Sequence, residues 1–535
     1  MPDPHFSVII WGIAKEVFFR LGEVFYVTTP IYYVNDVPHI GTAYTTLAAD
    51  VVARFKRQHG REVFFLTGVD EHGQKVAQAA ADKGRDPQEW VDSIVSQFTD
   101  VWRMLNISND DFIRTTQPRH ATVARLFIEK LKEKGDVYLG SYEGWYCIHD
   151  EAFLLSSQLN DGACPECNRP VDWLKEENYF FRLSDYQDRL LAYIEEHPEF
   201  IQPESRRNEV VSFINTGLAD QSISRTSFTW GIPCPFDEQH VMYVWFDALL
   251  NYLTAIDYST DEQRFERIWP ADWHLMGKEI LRFHAVIWPA MLMAAGLPLP
   301  EHVFAHGWLT VEGQKMSKSL GNVVRPADLV EEYGVDAYRY YFMREFSFGI
   351  DGNFSRRTMF RRYNAELAND LGNLQSRVLT MSGKYRDHVV PSPGAPGAEE
   401  ATLADKAAST VASSTAALDH LAFNDALADI WEFIHAVNRY VDVSAPWALA
   451  KDEARSADLD RVLYNSLEGL RQIALMILPF MPQSAATIWA NLGMAGAIES
   501  ATLPAASAWD LLPEGNKTVR GEALFPRKLE SAEES

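Results

Sequence analysis

The first seventy residues contain two apolar runs typical of buried strands, separated by an amphipathic helical pattern. The segments VFYVTTPIYYV (24–34) and REVFFLTGVDEHG (61–73) are rich in β-branched and aromatic residues, which predicts strands. Between them, apolar residues recur at every fourth position, at Ala43, Leu47, Val51 and Phe55. Gly60 is expected to end this helix. A strand, a helix and a strand in this order predict the βαβ unit of a doubly wound parallel sheet.

The rest of the chain divides into regions of different pattern. A segment with a cysteine loop is followed by NYFFRLSDYQDRLLAYIEEHPEFI, whose apolar spacing predicts a helix, and the α/β pattern then resumes with GIPCP and HVMYVWFDALLNYL. Beyond residue 356, strand patterns nearly vanish. Long helical runs there predict a bundle, interrupted by the linker VVPSPGAPGAEE.

We therefore predict a Rossmann-like α/β domain with an insertion, followed by an all-α domain. The predicted parts are an N-terminal segment of unassigned role (1–23), the first half of the α/β domain (24–139), the insertion with its cysteine knuckle (140–229), the second half of the α/β domain (230–320), a connecting module (321–355), the helix bundle (356–511) and a C-terminal tail (512–535).

Composition narrows the class of protein. A net charge of −25 argues against a non-specific nucleic-acid binder, although it leaves room for a local basic surface. Four cysteines in 535 residues predict a reducing, cytoplasmic location rather than a disulfide framework. The apolar N-terminal run is broken by Lys15, Glu16 and Arg20 and lacks the pattern of a signal peptide. No later run is long enough to span a bilayer, so we expect no membrane partner.

Two motifs far apart in the chain suggest a polyphosphate site. PHIGT places His39, Gly41 and Thr42 where the first helix should begin, and KMSKS (315–319) lies in a glycine-flanked loop. A lone histidine after a strand is more often a cap or a core residue, and two lysines are equally compatible with a solvated turn. Together, however, a helix N-terminus and mobile lysines can hold a triphosphate and stabilise its developing charge.

These motifs resemble those of the methionyl-tRNA synthetase family of class I aminoacyl-tRNA synthetases. TTPIYYVNDVPHIGT, TGVDEHGQK, YEGWYC, NYFFRLS, YVWFDALLNYL, GKEILRFHAVIWPAML, HGWLTVEGQKMSKSLGN and APWALAK occur in the order that the family shows. The resemblance extends from about residue 24 to residue 511. It implies a catalytic domain split by a connective-peptide insertion and followed by an anticodon-binding bundle.

The resemblance implies functional residues, which we carry over position by position. The catalytic residues would be His39, Thr42, Lys315 and Lys318; the ATP-binding residues His39, Gly41, Thr42, Gly277, Lys278, Ser317 and Lys318; the methionine-binding residues Pro30, Ile31, Tyr33, Asp70, Trp245, Ala248, Tyr252, Ile280 and His284; and the anticodon-binding residues Asn373, Arg377 and Trp447. Asp70 would hold the ammonium group of methionine. Without the resemblance, Trp245 and Tyr252 are a buried helical stripe, Trp447 a plug of the bundle and Arg377 a solvated residue.

The chain departs from the family pattern at two places. Thr42 replaces the second histidine of the first signature, and threonine can donate a hydrogen bond but carries no positive charge. Many members have two CxxC pairs that hold zinc, whereas this chain has Cys147, Asp150, Cys164 and Cys167. Three thiolates and a carboxylate can bind zinc, and a metal-free relic loop is the alternative. Cys234 is expected to be a buried apolar residue.

The resemblance implies a methionine–tRNA ligase that uses ATP with Mg²⁺ and charges initiator and elongator tRNA(Met). Because no further domain follows the bundle, we expect a monomer. One alternative is an inactive, synthetase-like RNA-binding protein, which would explain Thr42 but not the intact KMSKS. Another is a class I synthetase for leucine, valine or cysteine, which would share both signatures but differ in its pocket.

Overall fold

The computed structural model describes residues 24–34, 37–148, 152–154, 156–165, 167–316 and 321–529. The strands are β1 (Phe25–Tyr33), β2 (Val63–Asp70), β3 (Asp111–Arg114), β4 (Val137–Cys147), β5 (Ala152–Leu154), β6 (Asp172–Phe181), β7 (Ile201–Gln202), β8 (Gln221–Ser222), β9 (Ser224–Arg225), β10 (Pro233–Cys234), β11 (Asp237–Met242), β12 (Trp273–Gly277), β13 (His302–His306), β14 (Leu309–Val311), β15 (Gln314–Lys315) and β16 (Gly352–Phe354).

Helices connect the strands and form most of the C-terminal domain. They are α1 (Ile40–Gln58), α2 (Gln74–Asp82), α3 (Pro87–Met104), α4 (Pro118–Glu133), α5 (Gln187–Glu196), α6 (Glu204–Asn215), α7 (Val244–Ala248), α8 (Asn251–Thr254), α9 (Glu262–Ile268), α10 (Trp288–Ala295), α11 (Pro326–Tyr333), α12 (Val335–Glu345), α13 (Arg356–Arg362), α14 (Asn373–Arg386), α15 (Ala398–Asp419), α16 (Phe423–Ser444), α17 (Pro446–Leu449), α18 (Ser456–Ile477) and α19 (Pro482–Asn491). Segments Phe283–Ile287 and Tyr363–Gly372 are π-helical. Within the described part of the chain, no helix has the length and apolarity needed to cross a bilayer.

Six parallel strands form the central sheet in the order β3-β2-β1-β12-β13-β7. The chain leaves β1 towards β2 on one side, and it later returns on the other side with β12. Neighbouring strands that lead away in opposite directions leave a crevice at their carboxyl ends. Tyr33 pairs with Asp70, and Gly277 pairs with His306, so the ends of four strands meet at this crevice. The doubly wound sheet predicted from the sequence is confirmed.

Helix α1 follows the predicted pattern and leads from the crevice to the far domain. Ala43, Leu47, Val51 and Phe55 are all buried against the sheet, and the helix ends just before Gly60, which has a positive φ of 75°. At its C-terminus, Gln58 Nε2 donates to the carbonyl of Leu475 in α18, at 2.8 Å. The signature helix is therefore bonded at its far end to the helical domain.

A buried ion pair strengthens the same junction. Asp50 of α1 lies 2.7 Å from the guanidinium of Arg339, which also donates to the carbonyls of Pro479 and Phe480. Both side chains are fully buried. A buried charge pair requires such complete hydrogen bonding, because each ion has lost its hydration. The junction is consequently a specific, polar contact between the two domains.

The insertion forms an antiparallel sheet of order β5-β4-β6-β8. Residues 178–181, which the apolar spacing predicts as helical, complete strand β6, because they pair with residues 137–140 of β4. The helix α5 begins only at Gln187. Strand β7 lies within the range predicted for the insertion (140–229), yet it pairs with β13 and so belongs to the central sheet. The chain thus returns to the α/β domain before the insertion range ends.

The C-terminal domain is all-helical, as predicted. Helix α18 runs through its centre, and every residue from Val462 to Ile477 is buried. Glu468 and Arg471 are buried together as an ion pair within this helix. Helices α14, α15, α16 and α19 pack around α18, which makes it the core of the bundle.

Candidate active site at the carboxyl ends of the parallel strands

His39 caps the helix that begins at the crevice. Its Nδ1 accepts from the backbone N–H groups of Gly41 and Thr42, at 3.1 and 3.4 Å. Because Nδ1 accepts, the neutral ring carries its proton on Nε2, which lies 3.5 Å from the hydroxyl of Thr42. The capping role that a lone histidine suggests is therefore observed. The Nε2–H of the ring lies beside the positive end of the helix dipole.

The lysine-bearing hairpin reaches the same helix end. Lys315 ends β15, which pairs with β14, and Met316 follows it. A Cβ placed on Gly41 would lie 3.4 Å from the Met316 methyl and 3.0 Å from the His39 ring, so a side chain there would press on both. The N–H of Ile40 also donates to the carbonyl of Val324, at 3.1 Å. The structure thus brings the two signature motifs together. Ser317 and Lys318 lie outside the described residues.

Trp308 links two lysines at the end of β13. The Lys278 and Lys315 ammonium groups lie 4.2 and 4.7 Å from the centre of a Trp308 ring. The indole N–H donates to Glu279, at 2.9 Å, and Lys278 is bound by both oxygens of Asp351. Gly277 ends β12 and Lys278 follows it, and their binding of ATP stays a prediction. Neither Trp308 nor Glu279 was predicted, although both lie within quoted segments.

Tyr252 and His284 form a polar pair at the base of an aromatic pocket. The Tyr252 hydroxyl lies 2.8 Å from His284 Nε2, and His284 Nδ1 lies 3.0 Å from the carbonyl of Ile280. A carbonyl can only accept, so Nδ1 carries the proton and Nε2 accepts from the hydroxyl. Burial lowers the pKa of His284 to about 4 and raises that of Tyr252. Both groups are therefore uncharged at neutral pH.

Trp245 forms the opposite wall of this pocket. Its ring stands edge-on to Tyr33, at 6.2 Å, and to His284, at 6.4 Å. Phe283 stacks on it with centroids 3.9 Å apart, a contact absent from our sequence prediction. Trp245 is only partly buried, so it is not a residue of a closed core stripe. It also lies in α7 while Tyr252 lies in α8, so the single helix predicted here is broken.

The remaining predicted pocket residues lie on the same elements. Pro30 and Ile31 belong to β1, Asp70 ends β2, and Ala248 ends α7. The β1–β2 register shifts between Thr28 and Ile31, which accommodates a proline that has no N–H for the ladder. Asp70 is buried, and its binding of an ammonium group stays a prediction.

A buried cluster of two histidines and a carboxylate supports the pocket from behind. Asp247 lies 2.6 Å from both His72 Nδ1 and His120 Nε2. Burial alone would raise the pKa of Asp247, but the two imidazoles outweigh it and lower the pKa to about 2. His72 follows Asp70 by two residues, and Asp247 lies between Trp245 and Ala248. This cluster was not predicted from the sequence, although DEHG and WFDA lie within the quoted segments.

Three cysteines of the insertion converge. The sulfurs of Cys147, Cys164 and Cys167 lie within 4.8 Å of one another, and Cys147 and Cys167 are 3.5 Å apart. Tetrahedral zinc with Zn–S bonds of about 2.3 Å needs sulfurs about 3.8 Å apart, so the cluster fits this metal. Asp150, the predicted fourth ligand, lies outside the described residues. Cys234 is buried away from them, and burial raises the pKa of its thiol to about 12.

The predicted anticodon residues lie on the surface of the helical domain. Asn373 and Arg377 are one turn apart on α14, and Arg377 pairs with Asp442, at 2.7 Å. Trp447 is 44% exposed, so it does not plug the bundle. An exposed aromatic side chain is the kind of group on which unpaired bases stack.

Two family models match the chain. A family model described as "tRNA synthetases class I (M)" matches residues 25–172 and 169–379, and a second, described as "Anticodon binding domain of methionyl tRNA ligase", matches residues 390–535. Together they cover most of the chain. The chain belongs to the methionyl-tRNA synthetases of class I. The resemblance noted in the sequence is confirmed, and the enzyme is an ATP-dependent ligase of this family.

Individual relatives are similar over nearly the whole chain. The methionine–tRNA ligase of Caldanaerobacter subterraneus is 53% identical over 94% of this chain and 79% of its own length, and that of Streptomyces coelicolor is 47% identical over 94% and 97%. Mycobacterium tuberculosis methionyl-tRNA synthetase in complex with methionyl-adenylate superposes with a TM-score of 0.91. It is 45% identical, over 94% of this chain and all of that one. The α/β domain followed by a helical domain is thus the architecture of solved members.

Proposed function

We propose that the chain activates L-methionine with ATP and transfers it to tRNA(Met), initiator and elongator alike. One observation carries the proposal. The His39-capped start of α1, the Lys315 hairpin and the Trp245–His284 pocket converge at one crevice. A site of this kind brings an amino acid beside a polyphosphate, which is the geometry that adenylation requires.

In the first step, the methionine carboxylate attacks the α-phosphate of ATP and pyrophosphate leaves. His39 donates through Nε2–H to a phosphate oxygen, and Thr42 donates beside it. Lys315 and Lys318 close on the leaving pyrophosphate, with Ser317 between them, and Gly41, Gly277 and Lys278 complete the ATP site. Mg²⁺ accompanies ATP as part of the substrate. Positioned donors and cations of this kind act by electrostatic stabilisation, and no side chain becomes a covalent nucleophile.

Methionine lies in the aromatic pocket with its ammonium group on Asp70. The thioether contacts rings, which is favourable for a polarisable sulfur. Because Tyr252 and His284 are uncharged, the side-chain end of the pocket carries no competing charge. Pro30, Ile31, Tyr33, Trp245, Ala248 and Ile280 supply the rest of the pocket.

In the second step, the terminal ribose hydroxyl of the tRNA attacks the adenylate carbonyl and AMP leaves. Asn373, Arg377 and Trp447 bind the anticodon, with Trp447 as the stacking surface for a base. Its exposure and the one-turn spacing of the other two residues support this role.

Zinc in the insertion has a structural role in this proposal. Cys147, Cys164 and Cys167 supply thiolates and Asp150 a carboxylate. Zinc bound there would hold the insertion sheet by its β4 end. Metal analysis of the purified protein tests this: we expect about one zinc per chain, lost in Cys164→Ala and kept in Cys234→Ala. Protein without zinc would support the alternative, a metal-free loop that is held by packing alone.

Methionine-dependent ATP–pyrophosphate exchange tests the proposed reaction, with leucine, valine and cysteine as controls. We expect exchange with methionine alone, and its loss in Lys318→Ala. Folded protein that binds tRNA but exchanges with none of these amino acids would overturn the proposal. The low cysteine content, four in 535 residues, supports a cytoplasmic location. The monomeric state stays a prediction that light scattering tests.

A further inference from the structure

A buried histidine lies directly behind Tyr252. His274 of β12 is completely buried, and its ring lies against the Tyr252 ring with centroids 4.3 Å apart. Its Nε2 accepts from the indole N–H of Trp288, at 3.2 Å, and its Nδ1 lies 2.7 Å from the hydroxyl of Thr28. Burial lowers the pKa of His274 well below its usual value, so the ring is neutral. No step of the proposed reaction uses this histidine.

The contact between Thr28 and His274 joins the two central strands of the sheet. The two residues are register partners in the parallel pair β1–β12. The register between β1 and β2 shifts after Thr28 and resumes at Ile31, so Thr28 occupies the last regular position before the pocket residues Pro30 and Ile31. The Thr28 side chain is completely buried. Its hydroxyl therefore finds its hydrogen-bond partners within the protein.

The two ends of this network fix the direction of its hydrogen bonds. An indole N–H can only donate, so His274 Nε2 accepts, and the neutral ring carries its proton on Nδ1, which donates to Thr28 Oγ1. At the other end, the carbonyl of Ile280 can only accept, so His284 Nε2 accepts from the Tyr252 hydroxyl. Neither imidazole can change its tautomer without losing a hydrogen bond.

The Thr28 hydroxyl connects the two halves of the network. It accepts from His274 and keeps its own proton for a further bond. Burial raises the pKa of Tyr252, and side-chain hydrogen bonds from Asn251 and Thr28 oppose the rise. Donation from Thr28 polarises the Tyr252 hydroxyl and so strengthens the bond that this hydroxyl donates to His284, at 2.8 Å. The network thus runs from an indole to a carbonyl, with the pocket residue Tyr252 in its middle.

We propose that His274 and Thr28 are positioning residues for methionine, which hold the Tyr252 hydroxyl in its bond to His284 and so keep the base of the pocket fully hydrogen-bonded. The proposal rests on the proposed function, in which Tyr252 and His284 bind the amino acid. The methionine side chain has no hydrogen-bond donor, so a polar group left unpaired at the base would oppose its binding. His274 and Thr28 act through Tyr252 and do not touch the substrate.

Thr28→Val tests the proposal, because valine has nearly the shape of threonine but lacks the hydroxyl. In pyrophosphate exchange we expect the KM for methionine to rise about 10-fold, as for the loss of one buried hydrogen bond, while the KM for ATP changes little. Thr28→Ser keeps the hydroxyl and loses a buried methyl group. It should therefore have a lower melting temperature but a methionine KM close to that of the parent.

His274→Leu breaks the network one bond earlier and should raise the methionine KM by a similar factor. The double variant Thr28→Val/His274→Leu should show no more than the larger of the two single effects, because both residues act on Tyr252 by the same route. Melting temperatures show whether each variant is folded. Either single variant decides by itself if the other does not fold.

Thr518→Val is the matched control. Thr518 is a buried threonine of the helical domain, and its hydroxyl lies 3.0 Å from Ser382 Oγ. We expect this variant to lose stability and to keep the methionine KM of the parent. An unchanged methionine KM in Thr28→Val, an equal rise in the KM for ATP, or single effects that multiply in the double variant would overturn the proposal. Absence of methionine-dependent exchange in the parent enzyme would instead refute the proposed function.

Discussion

His72 and Asp247 are joined across the back of the amino-acid pocket, with Nδ1 of the imidazole 2.6 Å from Oδ2 of the carboxylate. The bond connects two walls that are remote in the chain. His72 follows the strand that ends with Asp70, while Asp247 lies between Trp245 and Ala248. His120 binds the other carboxylate oxygen, also at 2.6 Å, so the carboxylate is held from two sides. The distance between Asp70, the proposed ammonium site, and the aromatic wall therefore depends on this carboxylate.

Asp247→Asn is expected to raise the KM for methionine about 10-fold while the KM for ATP changes little. An amide has only one acceptor oxygen, so only one of the two imidazoles keeps an acceptor in this buried site. Exchange kinetics at varied methionine and fixed saturating ATP measure the effect. Asp50→Asn, a change at an equally buried carboxylate remote from the pocket, should lower thermal stability without raising the methionine KM. Equal KM changes for both substrates would contradict a positioning role.

Trp308→Leu is expected to raise the KM for ATP about 10-fold and to leave that for methionine nearly unchanged. The ring holds the ammonium groups of Lys278 and Lys315 beside it, and each cation–π contact contributes about 1 kcal/mol. Trp308→Phe keeps an aromatic face and should stay close to the parent enzyme. Pyrophosphate exchange at varied ATP measures the KM for ATP of both variants and the parent enzyme. If Leu and Phe behave alike, the ring face does not position the lysines.

His39→Asn separates the capping role of His39 from its role toward phosphate. Asparagine is a good N-cap, so the variant should keep its melting temperature, but its shorter side chain has no donor at the place of Nε2. We expect the kcat of exchange to fall about 10²- to 10³-fold, the usual effect of losing one donor to a developing charge. His39→Ala should lose the same activity and, in addition, about 1 kcal/mol of helix stability.

Thr42→Ala is expected to lower kcat less than about 10-fold. The Thr42 hydroxyl lies 3.5 Å from His39 Nε2, at the limit of a hydrogen bond, and it carries no charge. Parallel kinetics of the Thr42 and His39 variants measure the ratio of the two effects. A loss in Thr42→Ala as large as that in His39→Asn would show that threonine has taken over the role of the family's second histidine.

The spacing of apolar residues predicted those helices and strands whose conformation depends mainly on residues close in the chain. The four-residue spacing of Ala43, Leu47, Val51 and Phe55 sets which face of α1 is buried, so the helix was predictable without its partners. The strand at 178–181 was not predictable in this way, because a short apolar run fits a strand as well as a helix. Its partner strand lies about forty residues earlier in the chain. Tertiary pairing decided the outcome there.

The site was predictable only where a motif marks it. His39 and Lys315 each belong to a signature motif that can be recognised by itself. The number of residues between the two motifs does not matter, because the fold brings them together. Asp247 and its histidines carry no such mark: the contacts join residues 175 and 127 positions apart, and each residue alone resembles an ordinary polar side chain. Trp308 was likewise not predictable as a site residue, since an aromatic residue after a strand is usually part of the core.

Asp272 opposes folding at neutral pH, because its carboxylate is buried in a cleft at the amino ends of the strands, where Glu301 also lies. The cleft has a volume of about 430 Å³ and is lined by, among others, Glu199, Glu301 and His302. Burial raises the pKa of Asp272 to about 7, and Glu301 adds to the shift, whereas the N–H of Tyr26, which donates to the carboxylate at 2.7 Å, opposes it. The unfolded chain has an ordinary aspartate at this position, with a pKa near about 4.

Asp272→Asn is therefore expected to stabilise the protein at pH 8 and to have no such effect at pH 4. Below about pH 4 the carboxyl is protonated in both states, so it favours neither. Between about pH 4 and 7 the unfolded chain releases the proton and the folded chain keeps it, so stability falls as pH rises and the full cost remains above pH 7. Asparagine keeps an acceptor for the N–H of Tyr26 and never ionises.

Melting temperatures of the variant and the parent, measured from pH 4 to 8.5, should diverge across this window. Glu301→Gln should give a smaller divergence of the same sign. A constant difference at all pH values would mean that Asp272 is not protonated in the folded state.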